Sequence, residues 1–129
     1  MKVFSLILII CSLTVGKVTT TQDAVGRNSR EKKVLKLINS LPEVAENNKF
    51  ILEKTAGKRE LKAYIEDTPS RTHHYYVVSV SEYNGVSLVP HFWFRVNEGT
   101  NAISYIDAVN NKLVPYNSWH KHPYGIYSK

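Results

Sequence analysis

The dipeptide Asn84-Gly85 lies between two long runs rich in β-branched and aromatic residues, 75–83 and 86–97, and this is the strongest short-range signal for a β-hairpin. Asn and Gly accept the positive φ angles of a primed turn, whose twist matches that of paired strands, so the chain is committed there to antiparallel sheet. Counting back from a two-residue turn sets Val77 opposite Phe92 and Tyr75 opposite Phe94 on one face. It sets Tyr76 opposite Trp93 and Val78 opposite His91 on the other. A single bulge exchanges these faces, because side chains alternate with a period of two.

The same period runs from Lys49 nearly to the end. Residues 50–55 and 59–66 read as two strands joined at Ala56 and Gly57, and in the second Leu61, Ala63 and Ile65 alternate with Lys62, Tyr64 and Glu66. Asp67 to Ser70 break the pattern, Glu98 to Asn101 make another turn, and a strand over 103–109 returns through Asn110 and Asn111 into Leu113 and Val114. Upstream the period is about 3.6. Asn28 with Glu31 three positions on predicts a capping box, followed by an amphipathic helix that buries Val34, Leu35, Leu37, Ile38 and Leu41. Ser40, Pro42 and Glu43 predict a second, short helix through Val44 and Ala45.

Before the helix, Lys2 precedes an uncharged apolar run over residues 3–15, too short to span a bilayer, which gives way to small and polar residues. Residues 1–20 are therefore expected to be a cleavable signal peptide, with Thr14 and Gly16, or Val18 and Thr20, at the cleavage site. Export to a periplasmic or extracellular space follows, with no stable membrane anchor. Cys11 is the one cysteine of the 129 residues, and lipidation there is a minority reading because the large Ile10 precedes it. Loss of the signal removes the thiol, so disulfides, thiolate metal sites and a cysteine nucleophile are not expected. Residues 21–28 are read as a flexible leader, 29–120 as the folded domain and 121–129 as a tail.

Cleavage after Thr20 lowers the net charge from +6 to +4, and the cations are interleaved with Glu and Asp, so no nucleic-acid stripe is expected. Among the five histidines, His73 and His74 are adjacent and His120 and His122 are two apart, spacings too weak to imply a metal site. No nucleophile elbow, phosphate-cradling glycine loop or His-Glu-x-x-His helix is present, and neither an enzyme nor a cofactor is expected.

Helix followed by antiparallel meander is an α+β layout. The helix ending in Leu41, Pro42, Glu43 and Val44, the pair Tyr75 and Tyr76 opening a strand, and the run 91–96 together resemble small exported bacterial proteins with a cystatin-like fold, over about residues 29–120. The resemblance implies an N-terminal helix packed on a curved antiparallel sheet. It does not imply inhibition of cysteine proteases by the usual wedge. Gln22, Asp23, Ala24, Val25 and Gly26 place valine one position late, and there is no Pro-Trp pair.

Tyr76, His91, Trp93 and Arg95 are the candidate binding residues, an aromatic and basic patch suited to an exported acidic protein or a glycan. The reading is a noncatalytic binding or inhibitory module acting through that face. The alternative is a small enzyme or ligand pocket between helix and sheet that uses His91 and Asp107. Trp119 is expected to begin a final turn that plugs the sheet.

Overall fold

The computed structural model describes residues 23–121. Helices α1 (Ser29–Asn39) and α2 (Pro42–Lys54) come first, followed by strands β1 (Leu61–Asp67), β2 (Tyr75–Tyr83), β3 (Leu88–Asn97), β4 (Ile103–Asp107) and β5 (Lys112–Pro115), and then the single turn α3 (Tyr116–Trp119). The strands form one antiparallel sheet in chain order, so the class is α+β. The expected signal segment with Cys11, and the tail beyond Lys121 with His122, lie outside the described residues.

Helix α1 begins where its sequence cap predicts. The Asn28 side chain accepts from the Glu31 amide at 2.9 Å, and the Glu31 carboxylate accepts from the Arg27 amide at 2.6 Å, one residue earlier than in a standard capping box. Two amides at the helix start are thus satisfied, and Val34, Leu35 and Ile38 enter the core. Asp23 exchanges two backbone hydrogen bonds with Ile65, at 3.1 and 2.8 Å, which ties the chain to the outer edge of β1.

Helix α2 corrects the strand expected over 50–55. Val44, Asn47 and Ile51 recur at helical spacing and are buried, while Phe50 is exposed, so the short apolar run around Ile51 serves one helical stripe and not a pleat. The helix ends at the signal first read as a hairpin turn. Ala56 and Gly57 are both left-handed, with φ of 52° and 77°, and the Gly57 amide donates back to the Leu52 carbonyl at 2.8 Å. Ser40 caps the end of α1, its hydroxyl donating to the Lys36 carbonyl at 2.6 Å, and does not cap α2. No helix of the described residues is long and apolar enough to cross a membrane.

All three helices cover the same side of the sheet. Leu61, Ala63 and Ile65 of β1, Tyr76, Val78 and Val80 of β2, and Phe92, Phe94 and Val96 of β3 form one core with the buried residues of α1 and α2 and with Trp119 of α3. Trp119 is 1% exposed, stacked on Tyr105 with ring centroids 4.9 Å apart and edge-on to Phe94 at 5.4 Å, so the plug expected at the C-terminal turn is present.

The hairpin between β2 and β3 departs from the expected register in two steps. Its loop spans four residues, with the Asn84 amide donating to the Ser87 carbonyl at 3.1 Å and the Asn84 side chain accepting from the Val86 and Ser87 amides. That shift of two preserves the faces, pairing Tyr83 with Leu88 and Ser81 with Pro90. A bulge then inserts His91, after which Val80 pairs with Phe92, Ser79 with Trp93, Val78 with Phe94 and Val77 with Arg95. The odd step exchanges the faces of β2 against β3. Tyr76, expected beside Trp93, instead faces the helices opposite Val96 and is 7% exposed.

Candidate functional site

On the side of the sheet away from the helices, the small residues Ser79 and Ser81 of the central strand form a floor. Ser79 is paired with Tyr64 on one side and Trp93 on the other, and both serines are almost fully hidden, at 0% and 1% exposure, beneath larger neighbours. Their hydroxyls form a chain. Ser81 Oγ donates to Ser79 Oγ at 3.2 Å, and Ser79 Oγ donates to Glu66 Oε1 at 2.5 Å. The floor is therefore satisfied within the protein, and it holds Tyr64 and Trp93 apart on a flat, half-buried surface.

Arg95 shares this face with Trp93, two positions along β3. Its guanidinium carbon lies 4.0 Å from the centroid of the Tyr75 ring, a cation–π stack that fixes the side chain across the strands. Its Nε is buried and has no hydrogen-bond partner. Tyr75 thus occupies the place assigned from sequence to Tyr76, and the exchange follows directly from the bulge.

Two recesses flank the aromatic surface. One, of about 150 Å³, is lined by Arg95, Ile106, Asn111, Lys112 and Leu113. The other, of about 220 Å³ along the edge at β1, is lined by Lys58, Arg59, Glu60, Lys62, Tyr64 and Tyr83. Glu60 is paired with Lys62 at 2.8 Å, which draws the Lys62 pKa upward. Lys58, Arg59 and Lys62 gather cations at the β1 end of this face, whereas Lys112, opposite Asp107 in register, follows Tyr105 and Val114 to the helix side.

His91 and Asp107, paired in the enzymatic alternative, belong to separate networks. His91 is the extra residue of the bulge, with Nε2 3.2 Å from Glu82 Oε1 but without the alignment of a hydrogen bond, and both side chains are largely buried. Asp107 caps the β4–β5 turn. Its carboxylate accepts from the Asn110 side chain at 2.8 Å and from the Asn110 and Val109 amides at 3.0 and 3.1 Å, bonds that hold its pKa below the ordinary value. Neither residue lines the recesses at Arg95 or Tyr64, nor the clefts beside Asn39 and Asn101.

The histidines offered to a metal are also dispersed. His73 Nε2 meets the Thr68 carbonyl at 2.9 Å and Asp67 at 3.2 Å, whereas His74 Nδ1 meets Glu98 at 2.7 Å. His120 joins a cluster that sequence reasoning missed. Glu43, only 5% exposed at the start of α2, contacts His120 Nδ1 and accepts from the Tyr116 hydroxyl at 2.9 Å. Burial, and then the bond to Glu43, raise the Tyr116 pKa to about 12. The contacts span 73 and 77 positions, and no local pattern announces them.

The fold and these sites define an α+β domain in which, among the described residues, helices cover one sheet face and none covers the other. Comparison of the chain with family models, with curated proteins and with solved structures finds no match.

Proposed function

We propose that this chain is an exported, noncatalytic binding or inhibitory module with a cystatin-like arrangement of helix on sheet, and that it engages an acidic partner through the open sheet face. One observation carries the reading: the Arg95 guanidinium is stacked on Tyr75 at 4.0 Å, on the face that also presents Trp93, with no helix of the described residues above it. An uncovered sheet face in a small domain is ordinarily polar. Here it offers aromatic rings bordered by cations, the composition that recurs at the centres of recognition surfaces. Export rests on the sequence of residues 1–20.

The test is capture from cell-envelope and culture fractions by the immobilised protein, beside a Trp93→Ala, Arg95→Ala variant whose fold is verified by circular dichroism. Species held by the parent and released by the variant are the expected result. Equal capture by both would retire the face.

A further inference from the structure

We propose that the tip of the β2–β3 hairpin, with the cations beside the start of β1, is a docking surface for an anionic lipid bilayer. Val86 and its apolar neighbours enter the interface while Lys58, Arg59 and Lys62 meet the headgroups. The contact is peripheral and reversible, and it does not depend on Trp93 or Arg95.

The tip stands clear of the sheet, because β1 pairs with β2 only as far as Glu82 and β4 pairs with β3 only at Phe94, Arg95 and Val96. It is apolar and bare. Val86 is 88% exposed, Tyr83 56% and Val89 36%, and residues 83–90 hold no charged side chain. A projecting apolar group of this kind marks an interaction site. Much of its backbone hydrogen bonding is made within the loop. The Asn84 amide donates to the Ser87 carbonyl, the Val86 and Ser87 amides donate to the Asn84 side chain, and the Tyr83 hydroxyl donates to the Gly85 carbonyl at 3.0 Å. Entering a medium that offers few hydrogen bonds therefore costs this loop less, and the same bonds hold its shape beforehand.

Charge and its placement decide the partner. Lys58, Arg59 and Lys62 border one recess with Tyr83, and the single carboxylate there, Glu60, is held by Lys62 at 2.8 Å. The recess is therefore net positive. Lys62 pairs with Ser81, two positions before Tyr83, so at about 3.3 Å per residue the cations stand roughly 5–10 Å behind the Val86 apex. An anionic bilayer has the matching order in depth, with negative groups at its surface and hydrocarbon beneath, where interfacial apolar groups settle about 5–10 Å deep. Tyr83, between apex and cations, is an amphipathic ring of the kind that favours the headgroup level. A soluble acidic partner supplies the charge without the apolar layer behind it.

Vesicle titration of the chain from Thr21 onward, which keeps every described residue and leaves out Cys11 and the apolar run, tests this. An environment-sensitive fluorophore is attached through Val86→Cys or, as a control, through Thr100→Cys in the exposed turn at the other end of β3. With vesicles containing phosphatidylglycerol the first label shifts to the blue and the second does not. With phosphatidylcholine alone neither shifts, and added salt weakens the binding. In cosedimentation of unlabelled protein, Val86→Asp lowers affinity about 10- to 100-fold, the loss expected when one aliphatic side chain no longer enters an apolar phase. Lys58→Gln and Arg59→Gln lower it about 5-fold each. All three positions are exposed, so folding is not at stake. No shift at the first label, equal shifts at both, or affinity indifferent to Val86 would overturn the surface. A shift produced as fully by soluble oligoglutamate would assign the tip to an acidic protein and overturn the lipid partner. Capture that depends on Trp93 and Arg95 is untouched by either result, so the two readings fail separately.

Discussion

The Tyr116 hydroxyl donates to Glu43 Oε2 at 2.9 Å across 73 positions of sequence, and so fastens the last helical turn to the start of α2. The carboxylate is almost fully buried and accepts from Tyr116 while also contacting His120. Removing the hydroxyl leaves one carboxylate oxygen with a weaker set of partners. Tyr116→Phe is expected to destabilise the fold by about 1–2 kcal/mol in urea unfolding. His120→Ala, whose side chain is half exposed, is expected to cost less than about 1 kcal/mol. Equal effects of the two substitutions would assign the fastening to the ion pair instead.

The same hydroxyl gives a pH signature. Its pKa is raised from 10.0 to about 12, first by burial and then by Glu43, so the folded state favours the neutral phenol. A group whose folded pKa lies above its unfolded value contributes stability that is complete below the unfolded pKa. That contribution is lost as pH rises through the folded one, here between about pH 10 and about pH 12. The stability gap between the parent and Tyr116→Phe should therefore narrow across that interval. A gap that stays constant to about pH 12 would show that the phenol is not held neutral by the fold.

Trp119 fills the space between Phe92, Phe94, Tyr105 and Tyr116, with its ring edge toward both phenylalanines. Trp119→Ala is expected to cost about 3–5 kcal/mol, the range for emptying a large aromatic site, and Trp119→Phe distinctly less. Denaturant midpoints compare the two. A loss below about 1 kcal/mol on truncation to alanine would mean that α3 is dispensable to the core.

The bulge at His91 makes an unusual prediction about length. Deleting His91 brings Phe92 directly after Pro90, so Val80 still pairs with Phe92 and Ser81 with Pro90, and each residue keeps its face. The shortened protein is expected to unfold cooperatively, with a destabilisation within the roughly 0.5–3 kcal/mol of ordinary single changes. Inserting one alanine between Trp93 and Phe94 instead turns Phe94 and Val96 away from the helices, and is expected to abolish the cooperative transition. Quenching of Trp93 fluorescence in a Trp119→Phe background reports the face directly, and a buried Trp93 in the deletion variant would refute this account.

Much of the fold was legible because its signals are local. The Asn28 cap, the apolar stripe of α1, the alternation of Leu61, Ala63 and Ile65, and the strand-rich runs around Asn84-Gly85 each specify structure within a few residues. The misreading of 50–55 came from a short apolar run whose period is ambiguous between helix and strand. The deciding contact, Ile51 against the core, is tertiary. Trp93 and Arg95 could be assigned a common face from their spacing alone, and that holds in the structure.

Which partner residues join them could not be read this way. Pairing parity depends on one inserted residue, His91, and a bulge is stabilised by packing on both sides of a sheet and not by any motif in the chain. That single step sent Tyr76 into the core and brought Tyr75 beneath Arg95. The gathering of Glu43 with Tyr116 and His120 likewise joins distant segments. Local propensity therefore dictated the elements and their order, whereas the composition of each face and site was decided by the register and docking of elements, which only the packed core selects.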